Sequence, residues 1–324
     1  MMGKRFDMHL EDVAKDVYAC LQPDRGLGCS NSGLVNRGGG MVVDTFWDLP
    51  HTEALIEQYG RVWHGPAKRV VNTHPNGDHF WGNQLFEGAE IIGHRLCAQG
   101  AKQQDPAALQ RRLKGKPGAK VSPFAERLAD WDFAGIRIIP PNRLIEDRLE
   151  LDLGGIVANV VYVGPAHTAG DVIVHLPNER VVFAGDILFR LCTPLGWDGL
   201  NIKWVEALDY IVSLNPKVVV PGHGPLCGAE GPKEMKAYIQ YVDAESRRFF
   251  AMGLTPLEAA KRIDIGPYAG WTEPERVLLN IARAYRELRG QPYDAPLDAS
   301  ASTDNMIALT ADPAWRWGAH RQRG

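Results

Sequence analysis

The chain has 324 residues, with 36 basic against 39 acidic residues and a formal charge of −3 when histidine is neutral. So even a balance excludes a polyanion binder, and no nucleic-acid partner is expected. A hydrophobic fraction of 45% with 23% charged residues excludes disordered and collagen-like classes and is enough to fill one large core or two smaller ones. Met1 to Asp7 leads into the charged run Glu11 to Asp16 with no apolar stretch of signal-peptide or membrane-span length, so no membrane partner and a cytoplasmic location are expected. The cysteines, Cys20, Cys29, Cys97, Cys192 and Cys227, are odd in number and form no CxxC pair. That argues against a disulfide framework or a cysteine zinc site and for a reducing compartment.

The first half reads as short strands divided by turn residues. Asp16 to Leu21, Ser32 to Asn36 and, after Gly38-Gly39-Gly40, Met41 to Thr45 form an antiparallel opening. Pro50 to Tyr59 has helical spacing, Arg69 to Thr73 is a short apolar strand ending at His74, and Ile91 to His94 is another. Arg95 to Leu113 reads as mostly helical, with a turn near Pro106, and Lys114 to Gly118 as a loop. A second strand cluster follows: Ile136 to Ile139, Leu149 to Leu153, Val157 to Val163, Val172 to Leu176 and Val181 to Ala184. Trp204 to Leu214 reads as a helix, and Lys217 to Val220 as a buried strand stopping at Pro221-Gly222-His223. Beyond Gly224 the pattern turns helical. Thr255 with Glu258 and Thr272 with Glu275 have N-cap spacing, and the second opens an amphipathic run that stops at Gly290. The tail from Gln291, with Trp315 and Trp317, reads as an irregular arm.

Chemistry concentrates at strand ends. His74-Pro75-Asn76-Gly77-Asp78-His79 places four potential donors directly after one apolar strand. His167 follows Val160 to Val163, Asp186 follows Val181 to Ala184, and His223 follows Val218 to Val220. Ligands in open α/β sheets bind beyond the carboxyl ends of strands, where short loops converge on one point. No Gly-x-Ser-x-Gly elbow or Walker sequence is present.

These residues resemble the metallo-β-lactamase superfamily, with its Thr-His-x-His-x-Asp-His loop followed by single His, Asp and His positions. Thr73 to His79 matches with Asn76 in place of histidine, Gly164 to Gly170 with Ala166 in place of glycine, and Phe183 to Asp186 and Pro221 to Gly224 supply the remainder. The resemblance spans about Val17 to Gly228. It implies an α/β (α+β) fold, an αββα sandwich of two mixed sheets with metal at one rim. Residues 1–228 would be the catalytic domain, and residues 229–324 a helical extension and tail packed on it.

The resemblance further implies that His74, Asn76 and His167 form a first metal site and that Asp78, His79 and His223 form a second, with Asp186 bridging or belonging to the second. Asn76 ligates weakly through its carbonyl oxygen or is a loop cap pointing away. Two carboxylates and two imidazoles suit zinc at the second site, with one ion held there and the first site weaker; the extra oxygen donor also admits manganese or iron. Either Asp78 or Asp186 would orient the metal-activated water and shuttle its proton. The expected activity is metal-dependent hydrolysis of a small, rather apolar ester, lactone, thioester or amide. Hydrolytic dehalogenation of an activated haloaromatic at the same site is the rival enzyme reading, and a metal-dependent binding or sensor protein the non-enzymatic one.

Trp197 is a candidate wall of the substrate cleft or an ordinary core residue. Trp81 reads as core, Cys192 as a buried filler and His94 as a surface or interface histidine. The C-terminal helices would shape one wall of the cleft or a homodimer contact.

Overall fold

The alternation of side chains along each strand divides the apolar residues of this computed structural model into separate layers. It describes residues 6–23, 26–114, 123–196, 198–295, 299–311 and 315. The first sheet contains β1 (His9–Ala14), β2 (Val17–Leu21), β3 (Ser32–Val35), β4 (Met41–Val43), β5 (Arg69–Val71), β6 (Glu90–His94) and β7 (Arg143–Ile145) in chain order. It is antiparallel from β1 to β4 and parallel from β4 to β7. The second sheet has the order β12 (Val218–His223), β11 (Val181–Phe189), β10 (Val172–Leu176), β9 (Val157–Tyr162), β8 (Arg148–Asp152), with only β11 and β12 parallel.

On β2, Val17, Ala19 and Leu21 face the second sheet, where Val160, Val174 and Phe183 meet them. Cys20 on the same strand faces the other way, into a layer with Leu55 and Tyr59 of α1 (Leu49–Tyr59). The second sheet repeats the device: Val181 and Phe183 of β11 point into the sandwich, and Val182 and Ala184 into a helical layer. That outer layer comprises α6 (Asn201–Ser213), α7 (Glu230–Ala251), α8 (Pro256–Arg262), α9 (Val277–Leu288) and α10 (Ala299–Ala311). One apolar cluster joins Trp204, Leu208 and Ile211 of α6 to Met235, Tyr238, Leu278, Ile281 and Leu309 of the later helices. The layers are therefore helix, sheet, sheet, helix. The short helices α2 (Gly77–Phe80), α3 (Arg95–Ala101), α4 (Pro106–Lys114) and α5 (Pro123–Arg127) lie in the first half of the chain. No helix among the described residues is long and apolar enough to cross a membrane.

Several elements differ from the sequence reading. Ile136 to Ile139 joins no sheet: it runs into Pro140-Pro141, which lack N–H donors, and the seventh strand forms afterwards at Arg143. Thr255 and Glu258 make the expected reciprocal cap of α8. Thr272 does not cap; its N–H donates to the Leu191 carbonyl (3.0 Å), and a single 3-10 turn at Pro274–Arg276 precedes α9. The arm contains a helix, α10, and Trp315 is buried, its indole N–H donating to the Ala260 carbonyl (3.3 Å). Trp317 lies outside the described residues.

Candidate metal centre

β5 ends at Val71, and Thr73 is pinned as the chain leaves the sheet. Its N–H and its hydroxyl donate to the two carboxylate oxygens of Asp44, each at 2.7 Å. Asp44 follows β4 with φ 61° and is buried; it also bonds His79 Nδ1 at 3.0 Å. This one carboxylate sets both ends of the turn that carries His74, Asn76, Asp78 and His79. Asp171 does the same for the loop between β9 and β10, accepting from the Ala166 N–H (3.1 Å), the Thr168 N–H (2.8 Å) and the Thr168 hydroxyl (2.6 Å). The fully buried Arg283 of α9 donates to the Ala166 carbonyl and stacks 4.7 Å over Trp204, tying the helical layer to the His167 loop. Asp186 does not follow its strand as the sequence reading had it. β11 continues through it to Phe189, with register shifts on both sides of Gly185. A side chain on Gly222 of β12 would put its Cβ 2.0 Å from Asp186 Oδ1, so only glycine permits the two strands to approach there.

The structure brings His74, Asn76, Asp78, His79, His167, Asp186 and His223 together at this rim. Asp186 Oδ1 lies 3.1 Å from His79 Nε2 and 3.4 Å from His223 Nε2, while Asp186 Oδ2 lies 3.6 Å from His74 Nε2 and 3.4 Å from His167 Nε2. Asp78 Oδ2 is 3.4 Å from His223 Nε2 and 3.8 Å from His79 Nε2, and the two imidazole nitrogens are 3.4 Å apart. Donors about 2.0–2.1 Å from a tetrahedral zinc ion are about 3.3–3.4 Å from one another. Asp78, His79, Asp186 and His223 form a cage in which five of the six pairwise spacings, 3.1–3.8 Å, are close to that value.

The outer nitrogens of three histidines are oriented for ligation. His79 Nδ1 bonds Asp44, His223 Nδ1 bonds the Cys29 carbonyl (3.1 Å) and His74 Nδ1 bonds the Thr73 hydroxyl (2.9 Å), which turns each Nε2 lone pair inward. His74 Nε2 is buried without a hydrogen bond, as a ligand atom turned toward a cation site would be. Charge agrees: although burial opposes it, Asp186 and Asp78 raise the pKa of His79 well above the ordinary value and that of His223 to about 9. The two carboxylates thus demand positive charge between them. Burial, reinforced by His79, lowers that of His74.

Beside the cage opens a cleft of about 370 Å³ walled by Trp47, Trp81, Phe189 and Leu195, with Asn76, Asp78, Asp186 and His223 on its floor. Trp81, read as core, both packs against Trp47 and Phe133 and faces this cleft. Trp197 lies outside the described residues. His94 is neither surface nor interface here: it is buried, caps α3 by accepting from the Leu96 N–H (3.2 Å), and stacks on Tyr162. Cys192 is buried against the Arg276 guanidinium (3.4 Å). Asp44, Asp171, Arg283 and Trp47 carried no signal that distinguished them in the sequence.

The sequence model of the metallo-beta-lactamase superfamily matches residues 25–223, the span that supplies every donor of the cage. The chain belongs to this superfamily. A type 2 metallo-beta-lactamase from Bacteroides fragilis is 30% identical over 240 residues, covering 71% of this chain and 84% of the lactamase. A linear primary-alkylsulfatase from a Pseudomonas strain is 25% identical over 311 residues, covering 84% of this chain. The chain spans 58% of that sulfatase's length. The solved structure of an inverting sec-alkylsulfatase from Pseudomonas aligns over 95% of this chain and 55% of its own, at a TM-score of 0.65 and 16% identity. In this metallo-beta-lactamase fold the helices after residue 223 thus have a structural counterpart as well.

Proposed function

We propose that this superfamily member is a zinc-dependent hydrolase of a small, rather apolar ester, lactone, thioester or amide. The observation that carries the reading is the closely spaced, inward-facing set of Asp78, His79, Asp186 and His223 opening onto a cleft whose walls include Trp47, Trp81, Phe189 and Leu195. When bound there, zinc supplies Lewis-acid activation of water at neutral pH. The protein's own part is positioning and proton handling. Both carboxylates lie on the cleft floor, but Asp78 is the more exposed, with 14% of its side chain accessible against 4% for Asp186. Against the opposing effect of burial, His79 and His223 lower the Asp78 pKa to about 2. It is therefore a carboxylate: Oδ2, which faces His79 and His223, would hold the ion, and Oδ1 would accept a hydrogen bond from the attacking water and pass that proton to the leaving group on the cleft side. Trp47, Trp81 and Phe189 exclude bulk water and hold the apolar part of the substrate.

A sulfate ester of an alkyl chain is the second substrate reading. The likeness to the alkylsulfatases continues into the helical region, which contributes Arg276 and Thr303 to the cleft lining. The deciding experiment assays zinc-loaded protein on 4-nitrophenyl esters, lactones, thioesters and alkyl sulfates, with halide release from an electron-poor aryl chloride in parallel. Turnover of the carboxylic substrates supports the first reading, and sulfate release the second. Halide release alone, or bound zinc with no turnover, would overturn both.

A further inference from the structure

Resting on the hydrolase reading, the local geometry separates the two halves of the donor cluster. Asn76 Nδ2 is 2.9 Å from His167 Nε2. That is a hydrogen-bond distance, shorter than the roughly 3.3 Å between two ligands of one tetrahedral ion. Asn76 donates, and the lone pair of His167 that would face a metal is occupied. The other nitrogen agrees, because His167 Nδ1 is buried with no hydrogen bond. Each of the other three histidines has a partner there that orients it for ligation. His167 Nε2 lies 3.4 Å from Asp186 Oδ2, but with its lone pair taken by Asn76 only His74 and Asp186 Oδ2 remain for a second ion, fewer than the three protein ligands typical of a catalytic zinc.

We infer that the protein works with one ion, held by Asp78, His79, Asp186 and His223, and that His167 is a positioning residue that fixes the Asn76 amide on the cleft floor as a substrate contact. His167 is suited to this fixed role. It is fully buried between Phe189 and Trp204 (ring centroids 5.7 and 5.4 Å), and its loop is clamped by Asp171 and Arg283. Asn76, by contrast, lines the cleft and makes no capping bond to α2. The protein thereby keeps the family's loop but turns half of the cluster from metal binding to substrate contact.

The test measures zinc per chain and zinc affinity, at buffered free zinc, for wild type, His167→Ala, His167→Gln and His223→Ala, together with kcat and KM on the best substrate of the ester panel. The inference expects one ion per wild-type chain and little change in zinc affinity in either His167 variant. His223→Ala should weaken zinc by more than the roughly 10–100-fold typical of losing an outer-shell partner. His167→Ala should raise KM several-fold with a smaller change in kcat, and His167→Gln, whose amide rebuilds the bond to Asn76, should recover most of it. Two ions in wild type, or a His167→Gln protein that folds but loses zinc as His223→Ala does, would overturn the single-ion assignment. An unchanged KM in His167→Ala would overturn the positioning role. Absence of zinc from every form would overturn the hydrolase reading, and this inference with it.

Discussion

Asp44 touches no substrate-facing atom, yet it accepts from Thr73 twice and from His79 once. Asp44→Asn keeps the size but removes the charge that makes the His79 nitrogen a strong donor to metal. Zinc affinity should fall by about 10–100-fold with the fold retained, measured by competition with a chelator; an unchanged affinity would remove Asp44 from the account. The inner histidines give the pH dependence its sign. In the metal-free site Asp186 and Asp78, against burial, raise the pKa of His223 to about 9 and that of His79 well above the ordinary value, and zinc must displace those protons. Apparent zinc affinity should therefore rise with pH by about tenfold per unit for each proton displaced, the slope falling by one proton near pH 9 as His223 titrates. Zinc titrations at three pH values, corrected for the chelator, check this, and a flat profile would contradict it. The donors were legible in the sequence because they cluster in one six-residue turn and close three further apolar runs, although β11 in fact continues past Asp186. Asp44 was not, because an aspartate after Val43 looks the same whether it closes a turn or braces a histidine.

At the scale of elements, the cage depends on how closely β11 and β12 approach. Gly222→Ala drives a methyl group into Asp186 Oδ1 and the Gly185 backbone, so the carboxylate must move. Zinc affinity should drop at least tenfold and the protein should lose about 1–3 kcal/mol of stability, read by zinc titration and denaturant melts. A variant with wild-type zinc affinity would show that Asp186 is not held by that packing. The pattern of short apolar runs bounded by turn residues made β2, β4, β10 and the first part of β11 readable. It missed the continuation of β11 through Asp186, since Gly185 resembles a strand end, and it took Ile136 to Ile139 for a strand because apolar residues also line irregular segments. Thr272 and Glu275 have cap spacing, but Thr272 is claimed by the Leu191 carbonyl, a tertiary partner that local sequence cannot reveal.

Across the whole molecule, the rim of the sandwich gathers ligands from α2, β11 and β12, so an ion there ties both sheets together. At free zinc about 100-fold above Kd, binding stabilises the folded state by about 2.7 kcal/mol, and removing zinc should lower Tm by roughly 4 °C. Calorimetry before and after verified chelation checks this; coincident melts would mean that the cluster holds no ion in the folded protein. The layered order was legible because two strand-rich blocks precede a helical region. The helix in the tail was not, since Ala299–Ala311 has no amphipathic pattern strong enough to announce it.

The account's central claim is that hydrolysis depends on one ion in the cage of Asp78, His79, Asp186 and His223. The most direct measurement strips the protein of metal and follows the hydrolysis rate of a reactive ester as zinc is returned in sub-stoichiometric steps. The rate should start near zero, rise linearly and level off at about one zinc per chain, with Asp78→Ala and His223→Ala inactive throughout. Full activity in the stripped protein, or wild-type rates in either variant, would contradict the claim.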